Sequence, residues 1–172
     1  MKIAIIQFPG INRERDMCYA VEKALGFMPV LVWHKETSLP NFDLIILPGG
    51  FSFGDYLRSG AIAAHSPIMR AIKAQATRGA YILGICNGFQ ILTEAGLLPG
   101  ALLRNQGLKF MCKHHSLKIE MGGKASKSPL LAHYQPSEII NLPLANNDGN
   151  YQIDQDGLNR LQGDGLIAMR YA

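Results

Sequence analysis

From residue 2 to residue 96, apolar runs alternate with stretches of helical periodicity, the pattern of a parallel sheet with crossover helices. Lys2 to Phe8 is the first predicted strand. Apolar groups at Met17, Val21, Ala24 and Leu25 predict a helix over 13–25, and Gly26 supplies its stop. Pro29 to His34 and Asp43 to Leu47 form the second and third strands. Leu44-Ile45-Ile46-Leu47 shows no polar alternation, which suits a strand buried on both faces. A helical region follows from Leu57, is reset by Pro67 and stops at Gly79. Tyr81 to Ile85 is the fourth strand, and the helix after it ends at Ala95-Gly96.

Beyond Leu98-Pro99-Gly100 the runs become shorter and alternate: Leu108 to Cys112, Ser116 to Met121 and Glu138 to Leu144. They predict mixed or antiparallel strands, followed by a short helix near Gly157 to Gln162 and a final strand, Leu166 to Arg170. The expected architecture is α/β, with a mostly parallel central sheet flanked by helices. At 172 residues and 48% apolar content the chain suits one domain.

Net charge is +4, but only Lys109 to Lys118 is densely basic, with no interleaved aromatic beyond Phe110. That segment predicts a solvated strand face, and nucleic-acid binding is not indicated. No apolar run approaches a membrane span of about 20 residues. Cys18, Cys86 and Cys112 are odd in number and free of CxxC spacing, which argues against a disulfide framework or a zinc site and favours a reducing cytosol.

The chemistry concentrates at Gly84-Ile85-Cys86-Asn87-Gly88, where an apolar run opens directly into a helical pattern. A sharp strand-to-helix turn leaves no room beside the nucleophile, so glycines fit at both flanks. Cys86 at the start of a helix faces unpaired N–H groups and the positive end of the dipole, which are expected to favour a thiolate. The N–H of Asn87 is a candidate donor to an oxyanion. Cys86 taken alone also suits a buried small hydrophobe, but its context favours a nucleophile. Cys18 and Cys112 lack such surroundings and are expected in the core.

Ligands of open parallel sheets bind at the carboxyl ends of strands. Three loops leave such ends with marked chemistry: Phe8 to Asn12, Pro48 to Ser52 and Cys86 to Gly88. Gly49 and Gly50 let backbone N–H groups turn toward a ligand, making this loop a candidate second oxyanion donor. No phosphate-loop spacing occurs. A cysteine nucleophile normally works with a histidine, yet His34, His65, His114, His115 and His133 all read as surface or capping residues. With strand order 2-1-3-4, His34 lies too far across the sheet.

Gly84 to Leu92, preceded by Leu47-Pro48-Gly49-Gly50-Phe51-Ser52-Phe53-Gly54-Asp55-Tyr56-Leu57-Arg58, closely resembles the glutaminase subunit of phosphoribosylformylglycinamidine synthase, a class I glutamine amidotransferase of purine biosynthesis. Ile6 to Gly10, Trp33 to Thr37, Leu97 to Asn105 and Asp148 to Tyr151 are similar to that family too, so the likeness covers essentially the whole chain.

The resemblance implies a flavodoxin-like domain in which Cys86 attacks the side-chain amide of glutamine. Asn87 and either Gly49 or Gly50 would hold the oxyanion, and Gln90 matches a substrate-contacting position. It further implies no cofactor in this chain. ATP and Mg are expected on a synthetase partner that uses the ammonia to convert formylglycinamide ribonucleotide, with a small third subunit in the complex. The family's base is a His two residues before a Glu in a Pro-His-Pro-Glu-Arg-like segment, and the chain reaches Arg170-Tyr171-Ala172 before any such segment. A C-terminally incomplete domain is therefore expected, with Leu166 to Met169 partly uncovered. The family's His-Gly-Glu is replaced by Asn146-Asn147-Asp148. Alternative readings are a base-less subunit that docks on and orders the synthetase, and another cysteine hydrolase or stress protein with a thiol elbow.

Overall fold

Strand β1 (Ile3–Gln7) divides its side chains between two cores. Ile3 and Ile5 pack with Ile46 against Cys18 and Val21 of helix α1 (Glu14–Leu25). On the opposite face Ala4 and Ile6 pack with Ile45, Leu47, Ile68, Ile72 and Ile91. This is the period-2 alternation of a strand that is apolar from Ile3 to Ile6 because neither face meets water there. Burying each of the isoleucines contributes about 1.5–3 kcal/mol.

The computed structural model describes residues 1–172, in two compact units, Met1–Leu102 and Leu103–Ala172. In the first unit β1 is joined by β2 (Val30–Trp33), β3 (Leu44–Leu47) and β4 (Tyr81–Gly84) in the order β2-β1-β3-β4, all parallel. That is the expected order. The α1 helix carries Glu14 and Asp16 in its first turn and Lys23 in its last, matching the dipole, and Gly26 closes it in the left-handed region (φ 76°).

The helical region expected from Leu57 begins later. Helix α2 (Ala61–Ala64) and helix α3 (Ile68–Thr77) are separated at Pro67, while Leu57 has φ 71° and belongs to no helix. Helix α4 (Asn87–Glu94) follows β4 directly, and β5 (Ala101–Leu103) runs across the division between the units.

The second unit holds β6 (Met111–Ile119), β7 (Ile139–Asn146), β8 (Asn150–Gln152), helix α5 (Gln155–Gly163) and β9 (Met169–Tyr171). Strands β7-β6-β9 form an antiparallel sheet. The two separate strands expected over Leu108–Cys112 and Ser116–Met121 are in fact one. Lys113, His114 and His115 continue the pairing opposite Leu144, Pro143 and Leu142, because polar side chains at a wet surface do not interrupt backbone pairing. Cys112, expected in the core, is exposed on this strand. Its neighbours Met111 and Lys113 are exposed as well, so this end of the strand buries neither face.

Asn105 fastens the turn that carries Asn146-Asn147-Asp148. Its Nδ2 donates to the carbonyls of Lys109 (3.0 Å) and Asn146 (3.1 Å), and its Oδ1 accepts from Gly149 N–H at 3.0 Å.

Candidate active site

Cys86 sits at the junction of β4 and α4 with φ 54° and ψ −111°. A non-glycine residue held there costs roughly 1–3 kcal/mol, which the surrounding packing must supply. Both flanking glycines are required by that packing. A methyl group on Gly84 would lie 2.6 Å from Leu92 Cδ1 and 2.7 Å from the Gly88 carbonyl oxygen, and one on Gly88 would collide with the Leu47 carbonyl. The elbow read from the sequence is therefore present, and the Cys86 side chain reaches solvent.

The three expected loops converge. Ile11 bridges Gly50 in antiparallel fashion, Phe51 N–H donates to the Gly10 carbonyl at 2.9 Å, and Phe53 N–H donates to that of Pro9 at 2.6 Å. Gly10 and Gly50 have φ 86° and 149°, conformations that this crossing of two loops demands. Gly49 then lies beside the thiol: a methyl group on it would be 3.4 Å from Cys86 Cβ and 3.6 Å from Arg13 Cγ.

The Asn87 side chain is fully buried, whereas the sequence points only to its backbone N–H. Its Oδ1 accepts from Ser52 N–H (3.0 Å), and its Nδ2 donates to Gln90 Oε1 (2.8 Å) and to Asp55 Oδ1 (3.3 Å). Gln90 is thus buried one turn into α4 and orients Asn87. Farther along the same helix Glu94 receives a two-pronged contact from Arg58, Nε to Oε1 at 2.9 Å and the second nitrogen to Oε2 at 2.7 Å. The segment from Ser52 to Arg58, with left-handed Phe53, Asp55 and Leu57, is held to α4 at both ends. Asparagine following a cysteine elbow was the available signal for this network.

Burial pushes the Cys86 thiol above its ordinary value; hydrogen bonds from the backbone N–H groups of Asn87 and Gly50 pull it down, Asp55 raises it and Arg13 lowers it. The net direction is upward, where the sequence predicted a stabilised thiolate. The predicted amides are there, but the three loops crowd the inner side of the sulfur and desolvation outweighs them. Of the two glycines, it is Gly50 whose N–H meets the sulfur.

Histidines take several roles. His34 is buried, not superficial: its Nδ1 lies 3.2 Å from Ser66 Oγ, its ring meets Phe53 edge-on at 5.3 Å, and its carbonyl accepts from Ile68 N–H. Apolar strand ends left space that an imidazole fills. His65 caps α2 as expected, while His114 and His133 are exposed and His115 is half-buried against Tyr171.

A parallel sheet whose neighbouring strands β3 and β4 end in a paired-glycine loop and a thiol elbow defines an α/β protein with a solvent-accessible cysteine at the carboxyl end of its sheet. The family model of the CobB/CobQ-like glutamine amidotransferase domain matches residues 1–172. Phosphoribosylformylglycinamidine synthase subunit PurQ of Mesorhizobium japonicum is 51% identical over 172 residues, covering 100% of this chain and 76% of the relative. That of Zymomonas mobilis subsp. mobilis is 53% identical, covering 99% and 76%. A chain in the solved structure of PurLQS from Thermotoga maritima superposes with a TM-score of 0.81 at 38% identity, covering 99% of this chain and 74% of that one. The chain belongs to the glutamine amidotransferase family, in the group of PurQ subunits of phosphoribosylformylglycinamidine synthase.

Proposed function

We propose that this chain hydrolyses L-glutamine to glutamate and ammonia through a thioester on Cys86. The sulfur attacks the side-chain amide carbon, and the carbonyl oxygen takes up the displaced electron pair. That oxyanion is held by the N–H groups of Asn87 and Gly50 beside Gly49, donors already oriented before the substrate arrives. Collapse breaks the C–N bond, and the nitrogen leaves as ammonia with a proton received from the base. Water then attacks the thioester, releasing glutamate and restoring the thiol. Since the resting thiol is held protonated, a base must take its proton during attack, the task that the family resemblance gives to a His and Glu pair. Gln90 serves the site by holding the Asn87 amide.

The ammonia is delivered to a synthetase partner, in a complex with a small third subunit, where ATP and Mg support conversion of formylglycinamide ribonucleotide to formylglycinamidine ribonucleotide. The setting is the cytoplasm; no helix is long and apolar enough to cross a membrane. The observation that carries this reading is the pair of amides, from two different loops, directed at one strained cysteine. A purely docking subunit has no use for such a site. Glutamate release measured with the synthetase present, for the protein and for Cys86→Ala, tests it: the substitution is expected to abolish turnover, and turnover that persists at the original rate overturns it.

A further inference from the structure

Two side chains of opposite charge stand near the Cys86 elbow, and the reaction sequence above uses neither. Arg13 reaches it from the β1 side. A methyl group on Gly49 would touch both Cys86 Cβ and Arg13 Cγ, so the arginine stem and the thiol share one flank of the glycine loop. Asp55 comes from the segment after the paired glycines, a left-handed residue whose Oδ1 accepts from Nδ2 of Asn87, immediately after the nucleophile, at 3.3 Å. Both charges act on the sulfur, Asp55 raising its pKa and Arg13 lowering it. The guanidinium also pairs with Asp16 at 3.1 Å across an exposed surface, a contact weak enough to yield to a ligand.

We infer that Arg13 and Asp55 form a clamp for the zwitterionic end of the amino-acid substrate, Arg13 receiving the α-carboxylate and Asp55 the α-ammonium while the side-chain amide reaches Cys86. An arginine fork suits a planar carboxylate, and a carboxylate suits an ammonium. The arrangement selects an α-amino acid over a plain amide. It rests on the glutaminase reading above and adds the residues that recognise the substrate.

Chloroketones test it without requiring turnover, because Cys86 displaces chloride and forms a stable S–C bond. Three are compared: the L-glutamine analogue, its decarboxylated counterpart, and the counterpart lacking the amino group. Each alkylation rate is divided by that of iodoacetamide on the same protein, which removes changes in thiol ionisation. Arg13→Ala is expected to slow the two reagents bearing a carboxylate by about tenfold or more and spare the decarboxylated one. Asp55→Asn, which keeps an oxygen for Asn87, should slow the two bearing an ammonium and spare the third. Variants that slow all three equally, or none, overturn the clamp. An unsubstituted protein with no preference for the glutamine analogue over iodoacetamide overturns the glutaminase reading and the clamp together.

Discussion

The side-chain oxygen of Asn87 accepts the backbone N–H of Ser52 at 3.0 Å, joining the first turn of α4, directly after Cys86, to the loop that carries Gly50. The two backbone amides that meet the Cys86 sulfur, those of Gly50 and Asn87, thereby lie on segments tied together by one buried side chain.

Asn87→Ala should accordingly do more than remove a side chain. It removes the acceptor of Ser52 N–H and one donor to Gln90 Oε1 in a buried site, a loss of about 2–4 kcal/mol. Urea unfolding is expected to show that decrease, and hydrogen exchange to quicken at Ser52 to Asp55. Stability unchanged within about 0.5 kcal/mol would mean that the network does not fix the loop.

The raised thiol makes a prediction about pH. Iodoacetamide alkylation of Cys86 should follow thiolate with a midpoint above the ordinary 9.0, since burial outweighs the two amides. Asp55→Asn should move the midpoint down and Arg13→Ala move it up, following the sign of the charge removed. A midpoint well below 9.0 contradicts the balance described.

His34 gives a second pH effect, on stability. Burial first, and then Lys35, hold its folded pKa below the ordinary value near 6.5. The unfolded chain therefore takes up the proton more readily, so the contribution of neutral His34 is complete above about pH 6.5 and is lost as pH falls through the folded value. The melting temperature should drop between about pH 7 and pH 5, and the drop should shrink in His34→Gln, which remains neutral. An identical drop in the variant would assign the acid sensitivity elsewhere.

The parts of the molecule that were legible in the sequence are those in which local pattern and tertiary role coincide. Ile45-Ile46-Leu47 is apolar throughout because successive side chains enter two cores, and Gly84 and Gly88 are glycines because Leu92 and Leu47 fill the space where a side chain would go. Phe53, Asp55 and Leu57 were not legible as left-handed residues. Phe and Leu disfavour φ near 53–71°, and only Asp55 is of a type that tolerates it; the segment is held by the contacts of Asn87 with Asp55 and of Arg58 with Glu94, which come from a distant helix. Cys112 and Cys18 look alike in sequence, and only the fold separates them, one exposed on β6 and the other buried on α1 against β1. The direction of the Cys86 shift was missed for a related reason: dipole and amides follow from the elbow itself, whereas the crowding comes from two other loops.

Cys112 provides an internal standard for the claim on which the account rests, since it is an exposed thiol with no elbow around it. Limiting chloroketone analogue of L-glutamine, followed by peptide mass mapping, should place the adduct on Cys86 and leave Cys112 unmodified, and excess L-glutamine should suppress the Cys86 adduct. Equal modification of the two thiols, or labelling of Cys86 that L-glutamine does not slow, would contradict a glutamine-directed nucleophile at this site.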